Sequence, residues 1–153
     1  KTASLFSAGC RLAAQLGGCS AEQQQAMADY GRHLGVAFQV IDDALDYGRG
    51  DGGYGKNVGD DLAEGKATLP VIRALACLDA DHAAPIRTAL RDGNLDAMNS
   101  IMKAIESTQA MEYTCRRAEE EADKAIASLA AFEESEAKQG LVELARFSVQ
   151  RRH

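Results

Sequence analysis

The sequence has no tryptophan, only two prolines, Pro70 and Pro85, and no apolar run of the length that crosses a membrane. A membrane-spanning helix needs about 18 or more consecutive apolar residues, so we expect no membrane span. Proline interrupts helices, and alanine, which is abundant here, favours them. The composition therefore favours a helical protein with small-residue packing.

An excess of basic residues is also missing, because 17 Lys and Arg stand against 23 Asp and Glu and leave a net charge of −6. Non-specific binding to nucleic acids needs a basic surface, so we expect no nucleic-acid partner.

The four cysteines form no C-x-x-C pair and lie far apart in the sequence, at Cys10, Cys19, Cys77 and Cys115. This spacing argues against a zinc site or a disulfide framework. Together with the lack of a signal-peptide pattern, it predicts reduced thiols buried in the core of a cytoplasmic protein.

Apolar residues recur every three to four positions along most of the chain, and no segment alternates as a strand would. The fold class expected is therefore an all-α helical bundle. The predicted helices cover residues 2–16, 21–46, 68–78, 83–91, 95–107, 109–132 and 135–150. In the second helix, Ser20 and Gln23 predict a capping box, and a buried stripe is formed by Tyr30, Leu34, Ala37, Ile41 and Leu45.

Residues 35–70 are the most informative stretch, because an apolar helix ends there in Asp42, Asp43 and Asp46. On a helix, Asp42 and Asp46 lie one turn apart, and the negative end of the helix dipole repels both. A counter-ion is therefore expected. Mg²⁺ fits because it prefers hard oxygen ligands and binds through one or two carboxylates together with phosphate.

The glycine-rich loop at 47–66 follows these aspartates and carries Lys56 and Lys66. Ammonium groups on such a loop can close over an anion, so the stretch predicts a site for a divalent metal and a phosphate ligand. The alternative is an acidic helix end with surface lysines paired to Asp60, Asp61 and Glu64. The apolar residues before the aspartates favour the site, because charges at the end of a buried segment are costly.

Two other patterns indicate no function. Residues 50–57 match G-x-x-x-x-G-K but lack the following Ser or Thr and a preceding strand, which argues against a nucleotide-binding loop. His33 lies inside a predicted helix, and we expect a partly buried, hydrogen-bonded side chain there and no metal ligand.

Two segments resemble the trans-polyprenyl diphosphate synthase family. The second aspartate-rich region of that family is similar to FQVIDDALDY and the following GKNVGDDLAEGKATLPVI, and its lysine–threonine segment is similar to the opening KTASLF. The resemblance covers essentially the whole chain and is strongest to the long-chain, octaprenyl-type branch. It implies the all-α isoprenoid synthase fold.

The resemblance also implies roles for the matching residues. It assigns the carboxylates of Asp42, Asp43, Asp46 and Asp61 as ligands of the Mg²⁺ that bridges the allylic diphosphate. It assigns catalytic and substrate-binding roles at the diphosphate to Lys1, Thr2, Gln39, Lys56 and Lys66. Phe38 matches an aromatic residue that flanks the isopentenyl diphosphate site.

The implied reaction is the Mg²⁺-dependent head-to-tail condensation of isopentenyl diphosphate with an allylic diphosphate. The family's first aspartate-rich motif lies upstream of its lysine–threonine segment and is not in this sequence. We therefore expect residues 1–153 to be the C-terminal portion of one domain, inactive alone, with a homodimeric full-length protein. The alternatives are a terpene cyclase-like relative and a non-catalytic regulatory or assembly subunit. The paired lysines of GKNVGDDLAEGK, followed by TLP, favour the elongating enzymes over the cyclase-like relative. The intact Asp42, Asp43, Asp46, Lys56 and Lys66 argue against a decayed site in this half, and the question of a non-catalytic subunit stays open.

Overall fold

The computed structural model describes residues 1–48 and 64–150, and within these ranges the chain forms helices and no strand, which confirms the all-α prediction. Seven α-helices are present in the described ranges: α1 (Thr2–Leu16), α2 (Ala21–Leu45), α3 (Leu69–Cys77), α4 (Ala80–Asp92), α5 (Met98–Ser107), α6 (Ala110–Ser128) and α7 (Glu136–Val149). Single 3₁₀ turns at Leu95–Ala97 and Leu129–Ala131 precede α5 and follow α6. In these same ranges, no helix is both long and apolar enough to span a membrane.

Side-chain caps explain where several helices begin. The predicted capping box is confirmed, since the Gln23 backbone N–H donates to Ser20 Oγ and the Ser20 N–H donates to Gln23 Oε1. Helix α4 starts three residues earlier than predicted, because Asp79 caps it by accepting from the backbone N–H of His82. It ends at Asp92, one residue after the predicted end, and Gly93 closes it with a left-handed φ of 60° that glycine adopts without strain.

The chain divides into two compact units, Lys1–Ile41 with the chain from Arg116 onward, and Asp42–Cys115. In the first unit, the core combines α1, α2, α6 and α7 around five buried residues, Tyr30, Leu34, Ala125, Leu129 and Ala145. The Tyr30 hydroxyl lies inside this core and donates to the Leu141 carbonyl at 2.8 Å. Burial raises the pKa of Tyr30 to about 12, because the charged phenolate would lose its water.

The second unit has a core of larger aliphatic side chains. Val71 on α3 and Ile101 on α5 are fully buried and share this core with Tyr47, Ile86, Leu90 and Ile105. Helix α3 contacts both α4 and α5 in this unit. The carboxyl end of α2 is anchored here by Tyr47, which is 1% exposed.

One expectation about burial is wrong. No cysteine is fully buried, because Cys77 is exposed and the other three are half-buried; none of the four forms a disulfide. In addition, several apolar helix residues are exposed: Leu5, Leu12, Leu16, Leu144 and Phe147. Periodicity identified which side of each helix is apolar, but it could not identify what covers that side.

Candidate functional site

The amino end of α1 is placed by a direct backbone contact with α2. A Cβ atom at Gly31 would lie 2.4 Å from the Phe6 carbonyl oxygen, and one at Gly35 would lie 2.6 Å from the Ala3 Cα. Neither separation is possible for a real side chain, so only glycine allows the two helices to approach so closely. This contact fixes where Lys1 and Thr2 lie along α2.

Three of the predicted diphosphate-binding residues belong to this crossing. The Thr2 hydroxyl donates to Gln39 Oε1 at 3.2 Å, which joins the start of α1 to the last third of α2. Lys1 is the N-cap residue of α1, and its carbonyl accepts from the Leu5 backbone N–H. Lys1 and Gln39 are exposed and Thr2 is half-buried, so their polar groups line a surface that solvent reaches.

Phe38 lies on the same part of α2 and packs against an aromatic residue that the sequence reasoning missed. The ring centroids of Phe6 and Phe38 are 6.1 Å apart, with the ring planes tilted by 33°. Such a pair restricts the orientation of both rings. The signal for Phe6 was its position in the KTASLF segment, and the signal for the close helix contact was the i, i+4 spacing of Gly31 and Gly35.

The predicted metal-binding aspartates lie at the carboxyl end of α2, in the second unit. The helix ends at Leu45, one residue before the predicted end, but the Asp46 backbone N–H still donates to the Asp42 carbonyl at 3.2 Å. Asp42 and Asp46 therefore remain one turn apart, as predicted. Asp42 and Asp43 are half-buried, and Asp46 is only 5% exposed.

The burial of Asp46 bears on the alternative of a solvated acidic helix end. Removing a carboxylate from water costs free energy unless other groups compensate it. A helix end that served only solubility would leave its acids in solvent. The buried position of Asp46 therefore argues against a helix end that serves only solubility.

Lys66 follows a turn at Gly65, which has a left-handed φ of 68°. Its Nζ lies 2.6 Å from Glu64 Oε2, and both side chains are more than half exposed. Glu64 is one of the partners expected in the alternative interpretation. An exposed ion pair contributes roughly 0–1 kcal/mol, so the contact with Glu64 is by itself a weak one.

The remaining predictions for this site are not tested. Lys56 and Asp61 lie outside the described residues. Among residues 1–48 and 64–150, no three His, Cys, Asp or Glu side chains are grouped closely enough to hold a metal ion. The assignment of Mg²⁺ to the aspartates therefore stays a prediction.

His33 confirms the expectation of a hydrogen-bonded helix residue. Its Nδ1 lies 2.7 Å from Glu121 Oε2, and its Nε2 lies 2.9 Å from a guanidinium nitrogen of Arg32. A guanidinium can only donate, so Nε2 accepts and Nδ1–H donates to Glu121. Desolvation raises the pKa of Glu121, but hydrogen bonds from Lys124 and His33 outweigh it and hold this pKa below its usual value.

Comparison with known proteins gives a consistent picture. Residues 1–108 match the family model described as Polyprenyl synthetase. Over 152 residues, the chain is 45% identical to the octaprenyl diphosphate synthase of Escherichia coli, which covers 99% of this chain and 47% of that protein. The octaprenyl diphosphate synthase of Haemophilus influenzae is 44% identical over 154 residues, covering 100% of this chain and 47% of its own length.

Solved structures agree with these matches. A decaprenyl diphosphate synthase from Rhodobacter capsulatus superposes with a TM-score of 0.89 at 37% identity, covering 98% of this chain and 47% of that one. A polyprenyl synthase from Caulobacter crescentus, complexed with calcium and isoprenyl diphosphate, gives a TM-score of 0.87 at 39% identity. The match covers 100% of this chain and 47% of that one. The chain thus spans about half the length of the relatives that it matches.

Proposed function

The chain belongs to the polyprenyl synthetase family, and we propose that it supplies the diphosphate-binding and Mg²⁺-binding portion of a polyprenyl diphosphate synthase. The observation that carries this proposal is the 45% identity to an octaprenyl diphosphate synthase over 99% of the chain. The one-turn spacing of Asp42 and Asp46 supports it, because this spacing puts two carboxylates on one side of the end of α2.

The proposed ligands of Mg²⁺ are the carboxylates of Asp42, Asp43, Asp46 and Asp61. Carboxylate oxygens are the donors that Mg²⁺ prefers, so the residue types fit the ion. When bound, Mg²⁺ would neutralise the charge that develops on a departing diphosphate. The Caulobacter crescentus structure holds calcium together with isoprenyl diphosphate, which supports a divalent cation and a diphosphate as ligands of this fold.

The proposed diphosphate ligands are the ammonium groups of Lys1, Lys56 and Lys66, with Thr2 and Gln39 beside them. Fixed cations and hydrogen-bond donors stabilise a leaving diphosphate more than they stabilise the intact substrate. The direct backbone contact at Gly35 holds Lys1 and Thr2 in place before the ligand arrives. Lys66 lies beside Glu64 with more than half of its side chain exposed, where a ligand from solvent can reach it.

The proposed reaction is head-to-tail chain elongation. The C–O bond of the allylic diphosphate ionises, the alkene of isopentenyl diphosphate attacks the allylic cation, and loss of a proton gives the elongated trans-polyprenyl diphosphate. Phe38 would flank the isopentenyl diphosphate, in an orientation restricted by Phe6. Residues 1–153 would act as the C-terminal portion of one synthase domain, and a homodimer and a cytoplasmic location also stay predictions.

The first test is binding of inorganic diphosphate to the 153-residue chain, measured by calorimetry with and without Mg²⁺. We expect binding that requires Mg²⁺ and weakens at least about tenfold in Asp42→Asn, a loss of about 1.4 kcal/mol. Asp92→Asn is the matched control, because Asp92 is also the last-turn aspartate of a helix in the second unit. Binding without Mg²⁺, or equal losses in both variants, would contradict the metal assignment.

The second test is catalytic. We would replace the matched region of the Escherichia coli octaprenyl diphosphate synthase by this chain and assay the chimera with isopentenyl diphosphate and an allylic primer. Mg²⁺-dependent elongation is expected, and Lys66→Ala should reduce kcat by about 10²-fold or more if it stabilises the leaving group. A folded chimera that binds diphosphate but does not elongate would instead favour the non-catalytic subunit.

A further inference from the structure

The amino end of helix α3 has a residue that could cap it but does not. Thr68 is the N-cap residue, with φ −85° and ψ 168°, yet its side chain makes no capping hydrogen bond to the described first turn of the helix. The N–H groups of a first turn have no carbonyl partner within their own helix, and Pro70 removes one of them here. The first-turn N–H groups that remain are therefore not satisfied by the side chain best placed to accept from them.

The hydroxyl group of Thr68 is itself buried without a partner. Thr68 is only 7% exposed, and its Oγ1 makes no hydrogen bond in the part of the chain that the structure describes. Thr114, which is also buried in this unit, donates its hydroxyl to the Ala110 carbonyl at 2.8 Å. A buried hydroxyl with no partner has lost its water without compensation and destabilises the fold. Thr68 is therefore an exception to the general pairing of buried polar groups.

The backbone on both sides of Lys66 is held in place beside this helix end. Gly65 has a left-handed φ of 68°, and a Cβ there would lie 3.3 Å from the Leu90 carbonyl oxygen, so the chain lies directly against α4. On the other side, Pro70 is fully buried. More than half of the Lys66 side chain is exposed between these two anchors. The Cα atoms of Lys66 and Thr68 are at most about 7 Å apart, because they are two residues apart in the chain.

We propose that the amino end of α3, together with the Thr68 hydroxyl, binds a phosphoryl oxygen of the same diphosphate that Lys66 contacts. First-turn N–H groups, a hydroxyl and an ammonium group all donate to phosphoryl oxygens, and the helix dipole is positive at this end. The hydroxyl can turn outward about the Cα–Cβ bond without breaking a hydrogen bond, because it makes none in the described residues. The inference rests on the proposed function, from which it takes the diphosphate, and it adds Thr68 to the groups that hold this ligand.

The test is Thr68→Val, which replaces the hydroxyl by a methyl group of similar volume. Because the hydroxyl has no partner to lose, we expect the Tm of the 153-residue chain to rise by about 2–4 °C. Binding of inorganic diphosphate in the presence of Mg²⁺, measured by calorimetry, should weaken at least about tenfold, since a hydrogen bond to a charged oxygen is lost. Thr68→Ser keeps the hydroxyl and should bind diphosphate with nearly the affinity of the unchanged chain.

Thr114→Val is the matched control, because Thr114 is a buried threonine of the same unit whose hydroxyl is already paired. It should not raise the Tm and should leave diphosphate binding unchanged. Unchanged diphosphate affinity in Thr68→Val would overturn the inference and leave the proposed function intact. A fall of both Tm and affinity in Thr68→Val would also overturn it, because the hydroxyl would then have a structural role. No diphosphate binding by the unchanged chain would overturn the proposed function and this inference with it.

Discussion

In the unit formed by Lys1–Ile41 and the chain from Arg116 onward, helices α1 and α2 touch through backbone atoms at Gly31 and Gly35. In the unit Asp42–Cys115, the helices meet through branched side chains such as Val71 and Ile101. The difference concerns the volume that each contact tolerates. The first unit has no space for an added methyl group at its crossing, and the second unit depends on the carbon atoms that fill its core.

The largest effect is expected from removing volume in the second unit. Ile101 is fully buried, so Ile101→Ala should lower the free energy of unfolding by about 2–5 kcal/mol, through lost burial and the cavity left behind. Urea unfolding followed by circular dichroism measures this loss. Ile72→Ala is the control, because Ile72 is 49% exposed in the same unit and should cost less than about 1 kcal/mol. Equal losses at both positions would remove the contrast between core and surface.

The next effect is expected from adding volume in the first unit. Gly31→Ala should lower the free energy of unfolding by about 1–3 kcal/mol or more, because the new methyl group meets the Phe6 backbone, which cannot move aside alone. The same change at Gly9 should stabilise the chain by about 0.5–1 kcal/mol, since the methyl group meets nothing and alanine favours the helix. Effects of the same sign at the two glycines would show that the helices do not touch at Gly31.

The smallest effect is expected from the polar network of the first unit, and it depends on pH. The pKa of Glu121 is held below its ordinary value of 4.5, so its stabilisation is complete above that pH and is lost as the pH falls through the lowered value. Glu121→Gln should therefore cost roughly 1.5 kcal/mol at pH 7, because hydrogen bonds to a charged partner weaken.

The difference between wild type and Glu121→Gln should shrink toward zero as the pH falls below the lowered pKa. Urea unfolding at pH 7, 5 and 3 follows this change. Glu119→Gln, on the exposed side of α6, supplies the control and should show little effect at any pH. A difference that stays constant with pH would mean that the Glu121 charge does not contribute.

The sequence predicted the helices well because their signals are local. The bounds of α1 are confirmed to the residue, and α2 differs by one, since the capping box and the apolar stripe involve residues within a few turns. The start of α4 was missed because Asp79 was not recognised as a cap. The exposure of Leu12 and Phe147 could not be predicted, because periodicity does not identify which chain segment covers a face.

In the candidate site, too, local features could be predicted and contacts between distant segments could not. The one-turn spacing of Asp42 and Asp46 is a local property of a helix and could be predicted. The hydrogen bond between Thr2 and Gln39 joins residues 37 positions apart, and no pattern in the residues themselves predicts it. The family resemblance placed both residues in one pocket, and the structure supplies the contact. Lys56 and Asp61 stay predictions, because they lie outside the described residues.

The glycine crossing between α1 and α2 has a consequence for how related sequences can vary. Since the position of α1 is set by main-chain atoms, exchanging side chains on its outer surface need not shift Lys1 or Thr2. Relatives could therefore acquire different neighbours on that surface while the start of the helix keeps its place. Gly31 and Gly35 would have no such freedom, so we expect substitutions to accumulate on the outside of α1 much faster than at these two positions.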